Sequence, residues 1–156
     1  MPSFHIKLIF RNFAIHTNPG RRLFAQSECD KDFIDHIKYD DSKHAGDGLL
    51  SLYSDICQYK FGISPVGNGL DCYRTWEYLY LGIIPVVYDL PINRYFAKHV
   101  PMVVVPSYKI LSEEMLESEY EKIKNQSWNM EFLTKSYHVE QINLDIKHLT
   151  NRNTLI

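Results

Sequence analysis

The residues best suited to chemistry lie in one stretch, Phe61-Gly62-Ile63-Ser64-Pro65-Val66-Gly67-Asn68-Gly69-Leu70-Asp71-Cys72-Tyr73-Arg74-Thr75-Trp76-Glu77. It reads as a strand, a glycine-bearing turn and the start of a helix. Gly67 and Gly69 admit backbone conformations closed to other residues and let a ligand come close. The helix that follows aims its first N–H groups and a partial positive charge at the turn. Together these make an anion site, and phosphate is the usual anion there. Arg74, one turn in, can add a bidentate phosphate contact. Glu77, three residues on and on the same side, can accept two hydroxyls of a sugar ring. The stretch matches neither GxGxxG nor GxxxxGK[ST], so an ordinary NAD or ATP site is unsupported. The same residues also fit a plain strand-to-helix turn. Gly67 and Gly69 would then make a tight corner and Asp71 a cap. Arg74–Glu77 would be a surface pair contributing ~0.2–0.5 kcal/mol.

The surrounding elements must place that turn. Phe4–Phe10 alternates and then becomes fully apolar, a first strand. Asn18-Pro19 is an N-cap followed by proline at the first helical position, opening a short helix to about Ala25. Phe33–Ile37 is a weaker strand, and 40–48 is a polar loop. Leu49, Tyr53, Ile56 and Cys57 share one helical face. Lys60–Ser64 is a third strand. Asp71–Leu81 is a helix with Cys72, Trp76, Leu79 and Tyr80 on its inner face, closed by Gly82 in a left-handed C-cap. Ile83–Tyr88 and Met102–Val105 are continuous apolar runs of the kind found in buried parallel strands. Pro85 cannot donate to a ladder, so it belongs at a strand's start. Ser112 caps a helix with Glu113 and Glu114 in its first turn, Leu116, Tyr120 and Ile123 inward, and Lys122 and Lys124 near its end. A last helical pattern carries Trp128, Phe132, Ile142, Ile146 and Leu149. This alternation predicts an α/β fold: a Rossmann-like, doubly wound parallel sheet of about five strands with helices on both faces. Residues 1–150 form the lobe and 151–156 a frayed tail. Ligands of such sheets sit at the carboxyl ends of the strands. That singles out the loops at 11–19, 64–71, 88–92 and 106–109.

At 156 residues the chain fits one domain. A formal net charge of −2, without a polybasic run, argues against general nucleic-acid binding. The longest apolar runs fall far short of the ~20 residues that span a bilayer. The first residues lack the order of a signal peptide. Cys29, Cys57 and Cys72 are odd in number and far apart, which suits reduced thiols. The expectation is a cytoplasmic location for a complete chain, and the lumen of the secretory pathway for a fragment.

The string Ser64-Pro65-x-Gly67-Asn68-Gly69-x-Asp71-Cys72-x-Arg74-Thr75-Trp76-Glu77, followed by Leu81-Gly82-x-Ile84-Pro85-Val86-Val87, closely resembles exostosin-like glycosyltransferases. The matching part of that family is the C-terminal, nucleotide-sugar-binding lobe of its GT-B fold. The likeness extends upstream to Asn12-Phe13-x-Ile15-His16-Thr17-Asn18-Pro19-x-Arg21-Arg22, and downstream through Leu90–Tyr108 and the acidic helix at 113–124. It covers roughly residues 5–140. The resemblance implies a lobe holding a nucleoside-diphosphate sugar. Asn68, Gly69 and Arg74 would approach the pyrophosphate or donor sugar, and Glu77 the ribose hydroxyls or the sugar. Thr17 and Arg21 would stand beside the same phosphates, with Gly67 and Asp71 completing the binding turn. It implies no cofactor and no metal, the leaving diphosphate being stabilised by N–H groups and cationic side chains. Asp40-Asp41 is adjacent and not spaced, and it reads as a solvated loop. GT-B enzymes react in a cleft between two lobes, and this chain has room for one. It is therefore a fragment, a half that pairs with a second lobe, or a binding or interaction module without transfer. The acceptor, a glycan or another molecule, is not specified.

The lesser candidates divide simply. His16 lies at a strand's carboxyl end and is read chiefly as packing against its loop. His36, His44, His99, His138 and His148 lack ligand spacing. Cys72 and Trp76 read as core. Asp89 suits a sugar contact or the cap of a helix at 90–97. Arg21-Arg22 reads as a solvated pair or as one guanidinium on phosphate.

Overall fold

A computed structural model describes residues 7–21, 27–40 and 46–153. The expectations for Phe4–Ile6, Arg22–Ala25, Asp41, His44 and the last three residues lie outside that range. Five strands form one all-parallel sheet: β1 (Lys7–Arg11), β2 (Ile34–His36), β3 (Tyr59–Ile63), β4 (Ile84–Tyr88) and β5 (Val103–Val105). Their order is β2-β1-β3-β4-β5. The registers set Ile9 beside Ile34 and Phe61, Phe61 beside Ile84, and Val86 beside Val103. The fold is thus the expected doubly wound α/β sheet. Its winding reverses at β1, so the carboxyl ends of β1 and β3 flank the crevice where such sheets take ligands.

Among the described residues, helices accompany the sheet at α1 (Gly46–Ile56), α2 (Tyr73–Tyr80), α3 (Pro91–Phe96), α4 (Glu113–Lys124) and α5 (Lys135–Asn153), and 19–21 are helical as well. Side chains alternate across a strand, so neighbours enter different layers. Ile9, Phe61, Ile63, Ile84, Val86, Val103 and Val105 pack with Leu116 and Ile123 of α4. Phe10 and Tyr59 pack with Leu52 and Ile56 of α1 and Tyr78 of α2. Val87 joins Leu79, Val100, Met102 and Phe132. Full burial of such a side chain contributes ~1.5–3 kcal/mol, which is why these runs must lie inside.

The inner face of α2 differs from the expected one. Arg74, Thr75, Tyr78 and Leu79 are buried, whereas Tyr80 is exposed and donates its hydroxyl to the Leu133 carbonyl. Trp76 is half-buried against Phe96, and Cys72 precedes the helix as its N-cap. The cause is β3. A Cβ at Gly62 would stand 2.6 Å from the Tyr78 ring, so that glycine admits Tyr78 close against β3 and sets the rotation of the helix. Gly82, at φ +76, closes the turn as expected. Pro85 stands second in β4, opposite Gly62. The cap at Ser112 is as read, with its hydroxyl accepting from the Met115 N–H. Trp128 and Phe132 come before α5 rather than on it, and Phe132 anchors a 3-10 turn at Met130–Leu133. The helical backbone runs to Asn153, into the stretch expected as a tail from Asn151. No helix among the described residues is long and apolar enough to cross a membrane.

Candidate functional site

The carboxyl ends of β1 and β3 enclose a cleft of about 180 Å³. Of the expected site residues, Thr17, Arg21, Gly67, Asn68, Gly69, Asp71 and Arg74 line it, and Glu77 does not. Asn12, Phe13, Ala14, Tyr39, Pro65, Cys72 and Tyr73 complete the wall. Segments some 50 residues apart in sequence therefore meet in one cavity.

Local chemistry aims α2 at this cleft. Ser64, at the end of β3, and Thr75, in the first turn of α2, share a buried 2.7 Å hydroxyl–hydroxyl bond. The Ser64 N–H reaches the Val86 carbonyl at 2.9 Å, so the turn between them hangs from two fixed points. Cys72 has extended backbone, and no side chain caps the helix. Asp71, read as a candidate cap, instead accepts a 3.4 Å bond from the Trp76 indole N–H. An uncapped N-terminus facing a cavity is suited to an anion.

Neither Gly67 nor Gly69 has a positive φ, so their value here is space and not conformation. A Cβ at Gly67 would meet the Arg21 guanidinium at 3.2 Å. At Gly69 it would meet Asp71 only at ordinary contact distance, 3.6 Å.

Arg21 stands at the cleft wall, but its donors serve the protein. Nε donates to the Val66 carbonyl at 2.8 Å, Nη2 to the Pro65 carbonyl at 3.1 Å and to Cys72 Sγ at 3.2 Å, and Nη1 to the Ala14 carbonyl at 3.3 Å. The guanidinium also lies over the Phe13 ring at 5.7 Å. Only 7% of the residue is exposed. Arg21 thus stitches the β1 loop to the β3 loop and sets the width of the cleft. Asn18 reinforces the stitch, donating from Nδ2 to the Gly67 carbonyl at 2.8 Å while its Oδ1 accepts the Gly20 N–H.

Arg74 is buried on the floor. Its Nη1 lies 2.7 Å from Glu77 Oε2, off the hydrogen-bond direction, so the pair is held chiefly by charge. Glu77 Oε1 accepts from the Tyr53 hydroxyl of α1 at 3.2 Å. Burial, and then the charge of Glu77, push the Tyr53 pKa up, which keeps that hydroxyl a donor at neutral pH.

Several contributors were not singled out from the sequence. Asn12 is buried and donates from Nδ2 to the Ile37 and Lys38 carbonyls, tying the end of β1 to the loop after β2. The rule that ligands sit at strand carboxyl ends places Asn12 within the loop at 11–19, and applied to β2 it would also have found Tyr39. No sequence signal marked Tyr53. A second cavity, about 170 Å³, shares Phe13, Arg21 and Pro65 with the first and is otherwise lined by Asn18, Gly20, Val66, Tyr88 and Tyr108. Behind it the buried Glu28 carboxylate accepts the Tyr108 N–H at 3.1 Å and the Tyr88 hydroxyl at 3.2 Å. Asp89 does not cap α3, and both its oxygens are held by Arg94. His16 is exposed, its ring 6.3 Å from that of Tyr39. Among the described residues no group of three or more His, Cys, Asp or Glu side chains is placed to hold a metal ion.

Tyr73, which lines the cleft, is 64% exposed, and Ile15 and Leu70, each adjacent in sequence to lining residues, are 43% and 63% exposed. Exposed apolar side chains beside a cleft suit a surface that another molecule covers. No protein-family model matches the chain, and no curated protein matches it either.

Proposed function

We propose that this chain is the donor-binding lobe of a glycosyltransferase of the exostosin-like type. It would hold a nucleoside-diphosphate sugar for glycosyl transfer to an acceptor supplied elsewhere. One observation carries the reading: a cleft at the winding reversal joins an uncapped helix N-terminus, a glycine-widened turn and a buried arginine. Those are the parts a diphosphate needs. On this reading Arg74 and the first N–H groups of α2 take the diphosphate. Thr17 and Asn68 add uncharged hydrogen bonds at its edge. Stabilisation of the leaving diphosphate then rests on fixed dipoles and a fixed cation, which lower the barrier because they need no reorganisation.

A second reading is favoured by the single sheet. The described residues build one lobe, whereas transfer in this kind of enzyme takes place between two. Alone, the chain would bind the donor without turning it over. The exposed Ile15, Leu70 and Tyr73 form the surface against which a second lobe would close. Transfer or donor hydrolysis by the purified chain would exclude the binding-module reading.

Calorimetric titration with UDP, GDP and their sugars tests the site. Arg74→Ala should weaken binding ten- to a hundredfold, since a charge-assisted contact contributes ~1.5–3 kcal/mol. Absence of binding by every nucleotide at millimolar concentration would sink the proposal.

A further inference from the structure

We infer that Tyr53, on α1, is a positioning residue for the anion site, acting through Glu77 to fix the Arg74 guanidinium at the cleft floor. The inference rests on the reading of that cleft as an anion site, and it gives Glu77 a role other than ligand contact.

Geometry carries it. Arg74 lines the cleft; Glu77, one turn on, does not. A cation as buried as Arg74 needs a counter-charge close by, and Glu77 supplies it at 2.7 Å. That contact is within one helix and is not aligned as a hydrogen bond, so it does not by itself select a rotamer for the glutamate. A second element does so. The Tyr53 hydroxyl donates to the other carboxylate oxygen at 3.2 Å. Tyr53 is a stiff donor, with its ring packed against the cluster of Phe10, Leu52, Ile56 and Tyr78. The two carboxylate oxygens are therefore divided, one toward the guanidinium and one toward α1. The chain Tyr53–Glu77–Arg74 links a helix that does not border the cleft to the group that would meet the phosphate. Held beforehand in its binding position, Arg74 loses less rotamer freedom on binding, which is a gain in affinity without a new contact.

The test is a double-mutant cycle with Tyr53→Phe and Arg74→Ala, titrated with inorganic pyrophosphate and with UDP. It is accompanied by ¹⁵N spectra of the arginine side chains and by Tm values. Tyr53→Phe should weaken pyrophosphate about fivefold, the worth of one ordinary hydrogen bond. In the Arg74→Ala background it should change affinity by less than about twofold, because a residue that acts through Arg74 has nothing left to act on. The Arg74 guanidinium signals should change in position and width in Tyr53→Phe. Equal losses in both backgrounds, or no loss in either, would overturn the inference. A loss confined to UDP with pyrophosphate unchanged would also overturn it, by assigning Glu77 to ligand hydroxyls. If the unmutated chain binds neither probe, the proposed function fails and the spectra alone decide. Altered Arg74 signals in Tyr53→Phe would then uphold the positioning role, and unaltered signals would end it.

Discussion

Arg21→Met separates two roles that one guanidinium can play at the wall of this cleft. Methionine has comparable length and apolar bulk but no donor, so the substitution removes the hydrogen bonds and leaves the packing nearly intact. Four contacts go, three of them to the carbonyls of Ala14, Pro65 and Val66. Hydrogen bonds to charged groups contribute ~1.5–3 kcal/mol each. Three would sum to at least ~4.5 kcal/mol, but they share one side chain and are not additive. The carbonyls also border an open cleft and can be rehydrated. About 3 kcal/mol is the resulting expectation, near the low end for breaking a buried charged network. In urea, at a slope of ~2 kcal/mol/M, the unfolding midpoint should fall by about 1.5 M. Arg21→Lys should recover only part of this, because an ammonium cannot span acceptors arranged for a planar fork. Urea unfolding and pyrophosphate titration of the same variant form the assay. A midpoint shift worth under ~1 kcal/mol, together with a ten- to hundredfold loss of pyrophosphate affinity, would refute the reasoning. Arg21 would then be a ligand-binding cation and not a stitch between loops.

Two further outcomes follow from the geometry. Gly62→Ala would drive a methyl group into the Tyr78 ring, 2.6 Å away, and should cost ~1–3 kcal/mol as overpacking. Scanning calorimetry should show Tm lower by about 3–10 °C, recovered in part by adding Tyr78→Leu; an unchanged Tm would mean that α2 is not seated by that contact. The second concerns acid. The Tyr59 hydroxyl, 2.7 Å from Asp35, and then Lys7 hold the Asp35 pKa below the usual value. A carboxyl depressed in the folded state adds stability above its unfolded pKa of about 3.9, and that stability is lost as pH falls through the folded value. Tyr59→Phe should therefore flatten the decline of urea stability below about pH 4, and an identical pH profile in the variant would count against the pairing.

The order of elements was legible because burial leaves a periodic trace in sequence. Ile83–Tyr88 and Met102–Val105 are apolar on both faces, as the central and edge strands of a covered parallel sheet must be. The Ser112 cap and the Gly82 turn are local devices whose partners lie within a few residues, so sequence contains them whole. Helix rotation was less legible. The face of α2 is set by Tyr78 sliding over Gly62, sixteen positions earlier, and the pattern of α2 alone pointed to Tyr80.

Backbone chemistry and short-range spacing are enough to set a strand, a glycine turn and a helix start facing one end of a parallel sheet. What the charged side chains do there depends on contacts made across the fold. Arg21 and Val66 are 45 positions apart, and Tyr53 and Glu77 are 24 apart. An arginine in a turn near phosphate-binding residues and an arginine that clamps carbonyls are the same letter. A guanidinium takes whichever acceptors folding brings within 3 Å, and that competition is settled by distances between strands rather than by spacing along the chain.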